Sequence, residues 1–179
     1  MQRLFIALDL PEAIKTQLKT LCAGLVGAKW VSYSQMHLTL RFIGDADATQ
    51  QAHIQTGLAS IHATPFTMVL QGISQFSPNG KLRVIWVGIE AEAGLYDLQK
   101  KIERVIADSG FEPADHAFSP HITLARFRTP PSADTIQHYM ALHQSFMTDA
   151  FAVDGFILYS SQLAPNGSIY HQEGTFPLA

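Results

Sequence analysis

The pattern of apolar and polar positions in the first half of the chain predicts a strand, a helix, a second helix and a hairpin. A further strand is predicted between the two helices. Leu4–Leu10 is a mostly apolar run with the composition of a strand, and a helical pattern follows Pro11 over about Glu12–Leu25. A second helix is predicted at about residues 47–61, before an apolar stretch that begins at Phe66–Leu70. Pro78-Asn-Gly80 then predicts a hairpin turn, because Asn and Gly both tolerate positive φ.

The second half repeats this order. Arg83–Glu90 has a strand pattern, and Leu95–Asp108 carries an apolar stripe with the helical period of about 3.6 residues. A further helix is predicted near residues 132–143, followed by the apolar stretch Phe151–Tyr159. The tripeptide recurs as Pro165-Asn-Gly167. The order β-α-β-α-β-turn-β in each half predicts two similar lobes related by approximate two-fold symmetry.

The two approximate repeats are residues 1–80 and 81–179, and we expect residues 1–179 to form a single bilobal domain. No stretch rich in Pro, Gly and Ser separates the halves, so nothing in the sequence marks a linker. The strand Arg83–Glu90 ends one repeat and begins the next, and it is therefore expected to serve both lobes.

Composition restricts the class of protein. Hydrophobic residues make up 47% of the 179 residues, which supports a large core, and no apolar run approaches the roughly 20 residues of a membrane span. Cys22 is the only cysteine, which excludes an internal disulfide and predicts a reducing cytoplasm. The net charge of −3 argues against a long nucleic-acid footprint but leaves open the recognition of one phosphate at an RNA end.

Two segments combine the pattern of a strand with residues that carry chemistry. They are His37-Leu-Thr-Leu40 and His121-Ile-Thr-Leu124, one in each half. Residues i and i+2 of a strand share a face, so each segment places His and Thr on one face and aliphatic residues on the other. Two-fold symmetry would bring both His/Thr faces to one shared cleft.

Two imidazoles on opposite sides of a phosphate can hydrolyse a phosphodiester without a metal. One ring takes the proton of the attacking water, and the other protonates the leaving oxygen. The hydroxyls of Thr39 and Thr123 can donate to non-bridging oxygens of the same phosphate. Single histidines on strands are usually structural, but two matching His-x-Thr segments within a whole-chain repeat favour a paired site.

A phosphate site also favours a cation, and the sequence offers two. Arg41 lies four residues after His37, so strict alternation places it on the face of His37 and Thr39. Arg126 lies five residues after His121, and alternation sends it to the opposite face unless the strand contains a bulge. The strand pattern alone therefore favours Arg41 slightly.

A metal site is not expected. The pairs His116/His121 and His138/His143 are each five residues apart, and the chain has no cysteine pair. Most other histidines are interpreted as surface residues, and no cofactor is expected.

The motifs resemble a known family. His37-Leu-Thr-Leu-Arg-Phe-Ile-Gly44 and Phe118-Ser-Pro-His-Ile-Thr-Leu-Ala-Arg126 resemble the two signature motifs of the 2H phosphoesterase superfamily. The match is closer to its 2′-5′ RNA ligases, also called RNA 2′,3′-cyclic phosphodiesterases. Segments elsewhere extend the resemblance to nearly the whole chain, and they are Arg3–Pro11, Trp30-Val31, Arg83–Gly88, Leu163–Gly167 and Tyr170.

The resemblance implies a fold, a reaction and a role for each site residue. The fold is α+β, with two pseudo-symmetric lobes, each an antiparallel sheet with helices on its outer side, enclosing a central cleft. The reaction opens an RNA 2′,3′-cyclic phosphate to a 2′-phosphate without a metal. The implied proton donor is His37 and the implied acceptor is His121. The implied phosphate-binding residues are Thr39, Thr123 and Arg126, and the family thus ranks Arg126 above Arg41.

The expected partner is RNA with a 2′,3′-cyclic phosphate end, with tRNA fragments as one candidate, bound by a monomer. Reversible 2′-5′ ligation of RNA ends is a second reaction that the resemblance implies. Two alternatives stay open. One is a cyclic phosphodiesterase that acts on small nucleotide metabolites, and the other is a non-catalytic module that binds RNA ends.

Overall fold

The computed structural model describes residues 1–164 and 167–179, and the predicted turn residues Pro165 and Asn166 lie outside the described part. The strands are β1 (Gln2–Asp9), β2 (Ala28–Trp30), β3 (His37–Ala46), β4 (Phe66–Met68), β5 (Leu70–Phe76), β6 (Val84–Ile89), β7 (Ile122–Phe127), β8 (Phe151–Val153), β9 (Gly155–Ala164) and β10 (Gly167–Pro177). The helices are α1 (Glu12–Lys19), α2 (Ala48–Ala59), α3 (Ala93–Asp108) and α4 (Ala133–His143).

The predicted α+β fold is confirmed, and its main sheet runs through both lobes. In the described residues this sheet has eight antiparallel strands in the order β10-β9-β1-β3-β7-β6-β5, with β2 also paired to β7. A second sheet pairs β4 with β8, which are equivalent segments of the two repeats. The centre of the main sheet is the contact between β3 and β7, the two strands that carry the His-x-Thr segments.

The lobes do not coincide with residues 1–80 and 81–179. Strand β5 belongs to the first repeat but pairs with β6 of the second, and β9 of the second repeat pairs with β1 of the first. The first repeat therefore contributes β5 beside strands of the second, and the second contributes the hairpin β9-β10 beside strands of the first. Strand β6, which was expected to serve both lobes, pairs with β5 of the first repeat and β7 of the second.

The two faces of the main sheet have different environments. Leu4, Ile6 and Leu8 alternate on β1 toward the helices, and they share one buried core with residues of all four helices. Phe5 and Ala7 point to the opposite face, where they form a small cluster with Tyr159. Since burying one large aliphatic side chain contributes about 1.5–3 kcal/mol, the helix-covered face fixes the register of β1.

The first helix is shorter than predicted. It ends at Lys19 rather than near Leu25, and Gly24 and Gly27 in the segment that follows adopt positive φ of 86° and 80°. Leu21 and Leu25 are buried although they lie outside the helix, which explains why their spacing matched a helical pattern.

The first Asn-Gly turn forms as predicted. Pro78–Gly80 makes a short 3₁₀ turn between the antiparallel strands β5 and β6, with φ of 53° at Asn79 and 72° at Gly80. Among the described residues, no helix is long and apolar enough to cross a membrane.

Candidate functional site

Strands β3 and β7 bring the two His-x-Thr segments together. Leu38 pairs with Ile122 in antiparallel register, and both side chains are fully buried in the core. The same register places His37 opposite Thr123 and Thr39 opposite His121, on the other face of the sheet. The two histidines are therefore diagonal neighbours on that face. Both histidines line one cavity, in which a single phosphate could contact both rings.

Both imidazole rings are held in the same way. The Nδ1 atom of His37 lies 2.7 Å from the carbonyl oxygen of Gln35, and that of His121 lies 2.7 Å from the carbonyl oxygen of Ser119. A carbonyl oxygen only accepts hydrogen bonds, so each Nδ1 carries a proton and donates it. In the neutral ring, Nε2 is then the atom available to accept or deliver a proton.

Thr39 contacts the reactive nitrogen of its own segment. Its Oγ1 lies 3.0 Å from Nε2 of His37, and the hydroxyl donates when the ring is neutral. This hydrogen bond confirms that the two side chains share a face of β3.

A β-bulge in each strand decides which arginine joins the site. In β7, Trp86 pairs with Thr123 while Ile85 pairs with Ala125, so Leu124 is the extra residue and alternation is interrupted. Both Leu124 and Ala125 are buried, and the side chain of Arg126 lines the same cleft as His121.

The prediction that Arg41 shares the face of His37 is wrong. In β3, Ala7 pairs with Thr39 and Ile6 pairs with Arg41, so a bulge at Leu40 turns Arg41 toward the helices. The Nε atom of Arg41 lies 3.5 Å from a carboxylate oxygen of Glu103 on α3, and its guanidinium donates to the carbonyl of Glu112.

The central cleft is the cavity that contains His37, Thr39, His121, Thr123 and Arg126. Its volume is about 540 Å³. Three cationic side chains line it and none of its described lining residues is acidic; the cations are Arg3, Lys29 and Arg126. This distribution of charge suits an anion.

Burial lowers the pKa of His37, because the low-polarity surroundings disfavour the imidazolium. The hydrogen bond to Gln35 and the negative charge of Asp9 raise that pKa, while Arg126 and His121 lower it. Asp9 pairs with His37 across β1 and β3. Its carboxylate also forms a 2.8 Å ion pair with the buried Lys15. The net lowering of this pKa favours the neutral ring at pH 7.

Aromatic rings support both histidines. The His37 ring lies 5.2 Å from the Phe5 ring and 5.5 Å from the Tyr170 ring, between centroids. The His121 ring is similarly placed against Phe76 at 5.0 Å and Trp86 at 5.7 Å. Trp86 thus lies beside His121, although it does not itself line the cleft.

The sequence did not point to Arg3, Lys29 or Phe42 as residues of the cleft. Arg3 and Phe5 are two residues apart on β1 and therefore share a face, so strand alternation could have indicated the position of Arg3. Lys29 reaches the cleft only because β2 adds to the edge of β7, and Phe42 only because of the bulge at Leu40. Neither feature has a clear pattern in one sequence.

No group of three or more potential metal ligands converges among the described residues. The histidine pairs that the sequence analysis considered, His116/His121 and His138/His143, form no such group there. The absence of a metal from the reaction is a prediction that needs its own experiment.

Comparisons with known proteins agree over almost the entire chain. The family model described as the 2′-5′ RNA ligase superfamily matches residues 9–163. A protein of Archaeoglobus fulgidus named RNA 2′,3′-cyclic phosphodiesterase is 31% identical, covering 94% of this chain and 96% of that protein. A protein of Thermotoga maritima with the same name is 33% identical, covering 94% of this chain and 91% of that one.

Solved structures show the same architecture. E. coli LigT complexed with 3′-AMP superposes with a TM-score of 0.80 and 27% identity, covering 99% of this chain and 98% of that chain. The similarity therefore includes both lobes and the strands that they exchange.

Proposed function

The chain belongs to the 2′-5′ RNA ligase superfamily, and from this membership and its site we propose that it is an RNA 2′,3′-cyclic phosphodiesterase that needs no metal. The observation that carries the proposal is the arrangement of His37 and His121. Both rings are oriented by a backbone carbonyl, and both line one cation-rich cleft.

The proposed reaction is an in-line displacement at the cyclic phosphate. Nε2 of His121 takes a proton from a water molecule as its oxygen forms a bond to phosphorus. The bond between phosphorus and the 3′ oxygen breaks, and His37 donates a proton to that oxygen. The product carries a 2′-phosphate, and the two histidines exchange protonation states.

Thr39, Thr123 and Arg126 are proposed to bind the non-bridging oxygens. Hydroxyl and guanidinium donors stabilise the charge that develops on these oxygens, and Arg126 can donate two parallel hydrogen bonds. The Thr39 hydroxyl donates to His37 in the resting protein and becomes free for phosphate once that ring is protonated.

The lowered pKa of His37 fits a proton donor that acquires its proton with the substrate. An anionic phosphate beside the ring favours the imidazolium and raises its pKa. The resulting acid is also a strong one, because burial continues to disfavour the charged ring. The site therefore couples the binding of an anion to the protonation of His37.

RNA ends are the proposed substrates, including tRNA fragments, and we propose a monomer acting in the cytoplasm. Since E. coli LigT has been crystallised with 3′-AMP, small cyclic nucleotides are a second candidate substrate class. A shared central cleft explains both, since a terminal cyclic phosphate and a cyclic mononucleotide present the same reacting group.

The test is hydrolysis of an oligonucleotide that ends in a 2′,3′-cyclic phosphate, by purified protein in excess EDTA. We expect the wild-type rate to be the same with and without EDTA, because imidazoles perform both proton transfers. Loss of the activity in EDTA, with recovery on adding Mg²⁺ or Zn²⁺, would contradict the metal-free scheme. The rate at which the wild-type protein hydrolyses a 2′,3′-cyclic mononucleotide is measured in parallel. Its ratio to the oligonucleotide rate shows which substrate class is preferred.

A further inference from the structure

The two-fold symmetry of the repeats is broken beside His121. In the first repeat, Ala28–Trp30 precedes His37 and forms strand β2, which adds to the edge of β7. The equivalent residues before His121 are 112–114, and in the described structure they form no strand beside β3. Pro113 lies in this segment and has no N–H to donate to a strand ladder.

A second cavity occupies the position that the missing strand leaves. Its volume is about 550 Å³, within the range of about 300–1,000 Å³ that is typical of small-molecule sites. It meets the central cleft at Thr39, Phe42 and His121, which line both cavities. His37 lines the central cleft but not the second cavity, so the second cavity lies on the side of His121.

The lining of the second cavity differs from that of the central cleft. Its aromatic side chains are Phe42, Phe76 and Phe118, and the ring of Phe42 is 67% exposed at the junction. It has two carboxylates, Glu103 and Asp115, whereas the central cleft has none among its described lining residues. This charge disfavours a second phosphate and favours an uncharged ligand with a planar ring.

Polar groups in the lining of the second cavity are largely buried and contact one another. The side chain of Arg41 is 9% exposed, and among the described residues its Nε has no hydrogen-bond partner, despite the 3.5 Å approach of Glu103. Gln99 is 8% exposed and donates to the other carboxylate oxygen of Glu103. The exposed ring of Phe42, in contrast, provides a surface on which a planar base can stack.

We propose that the second cavity binds the nucleoside of an RNA strand whose 5′-hydroxyl replaces water as the attacking group. This inference rests on the proposed function, in which the attacking oxygen approaches from the side of His121. A ribose with its 5′ oxygen beside His121 places its base among the rings of Phe42, Phe76 and Phe118.

The chemistry balances without a co-reactant. The 5′ oxygen forms a bond to phosphorus and gives its proton to His121, the bond to the 3′ oxygen breaks, and His37 protonates that oxygen. The product is a 2′-5′ phosphodiester, and the reverse reaction cleaves it to a cyclic phosphate and a 5′-hydroxyl. Hydrolysis of a cyclic mononucleotide uses only the central cleft.

Calorimetric binding of a 2′-5′-linked dinucleotide tests the proposal. The first sugar of the probe lacks its 3′-hydroxyl, so the probe cannot form a cyclic phosphate and is not cleaved. The reference ligand is the 2′-phosphate methyl ester of the same first nucleoside, which has the same charge but no second nucleoside. Because base stacking adds affinity, we expect the wild-type protein to bind the dinucleotide about tenfold or more tightly than the ester.

Two variants locate the added affinity. Ala117 lines the second cavity and is exposed, so Ala117→Phe fills the cavity without altering the core, and Ala117→Ser is its matched control. We expect Ala117→Phe to bind the dinucleotide and the ester about equally, while Ala117→Ser keeps the preference. Ala114→Phe, at a second exposed position of the same lining, provides an independent variant.

Hydrolysis of a 2′,3′-cyclic mononucleotide is expected to be the same in wild-type protein and Ala117→Phe. Equal wild-type binding of the two ligands, or a preference that survives both Phe variants, would overturn the proposal. Loss of cyclic mononucleotide hydrolysis in Ala117→Phe would also overturn it, because that result would place the substrate's own base in this cavity. Failure of the proposed function is distinct, since the wild-type protein would then hydrolyse no cyclic phosphate.

Discussion

Arg126 and Phe42 occupy equivalent positions in the two repeats. Each lies five residues after its histidine, and a β-bulge returns each to the face of the central cleft. The repeat therefore supplies two histidines and two threonines but only one arginine at this position. At this position one half of the cleft has a cation, and the other has an exposed aromatic ring at the junction with the second cavity.

Replacing Arg126 by Lys is expected to lower kcat/KM toward a cyclic phosphate by about tenfold or more, because lysine lacks the planar paired donors. Lysine keeps the positive charge, so the shape of the pH profile is expected to stay the same. Steady-state kinetics across the pH range measure both quantities.

Arg41→Lys is the matched control, because Arg41 points toward Glu103 rather than into the central cleft. It is expected to reduce hydrolysis of a cyclic mononucleotide less than Arg126→Lys does. A larger loss from Arg41→Lys than from Arg126→Lys would show that the assignment of the two arginines from the bulges is wrong.

The protonation of His37 gives a prediction about pH. Burial lowers the pKa of His37. In the free protein, the midpoint of the His37 titration is therefore expected below the usual histidine value of about 6.5. Inorganic phosphate is expected to move the midpoint upward, since an anion stabilises the imidazolium. Proton NMR titration of the imidazole, assigned through a His37→Gln variant, measures both midpoints.

Asp9→Asn provides a second variant for the same titration. The Asp9 charge raises the pKa of His37, so its removal is expected to lower the midpoint further. A free-protein midpoint above the usual value, or a downward shift when phosphate is added, would have the wrong sign for a buried ring that faces an anion site.

The position of the product phosphate tests the roles of the two histidines. If His37 protonates the 3′ oxygen, the phosphate stays on the 2′ oxygen of the terminal ribose. Phosphorus NMR of the product from a 2′,3′-cyclic mononucleotide distinguishes the two isomers. A 3′-phosphate would mean that the roles of the two rings, or the orientation of the ribose, are reversed.

Much of the site was predictable because it depends on local alternation. The spacing of His37 and Thr39, and of His121 and Thr123, fixed their shared faces, and the repeat placed the two segments at one cleft. The strand pattern of β1, the helical period of α3 and the order of elements in the repeat also located β1, α2, α3 and α4 to within a few residues. These features follow from contacts between residues that are close in sequence.

The features that were missed depend on contacts between distant segments. The bulge at Leu40 reversed the face of Arg41, and a bulge is an accommodation of one strand to its neighbour. Likewise, the exchange of β5 and β9 between lobes is a choice of partner strand, and strand periodicity does not specify partners. The bulge at Leu124 was indicated only indirectly. The family resemblance ranked Arg126 first, although simple alternation placed Arg126 on the opposite face.

The most direct test of the central claim is the rate of cyclic phosphate hydrolysis by His37→Ala, His121→Ala and the double variant, each verified as folded by circular dichroism. Each single substitution is expected to lower kcat by about 10²-fold or more, because each ring transfers a proton in the same step. The double variant is expected to be little slower than either single variant, since groups that act as a unit are not additive. Near wild-type activity in either single variant, or losses that multiply in the double variant, would contradict a paired acid-base mechanism.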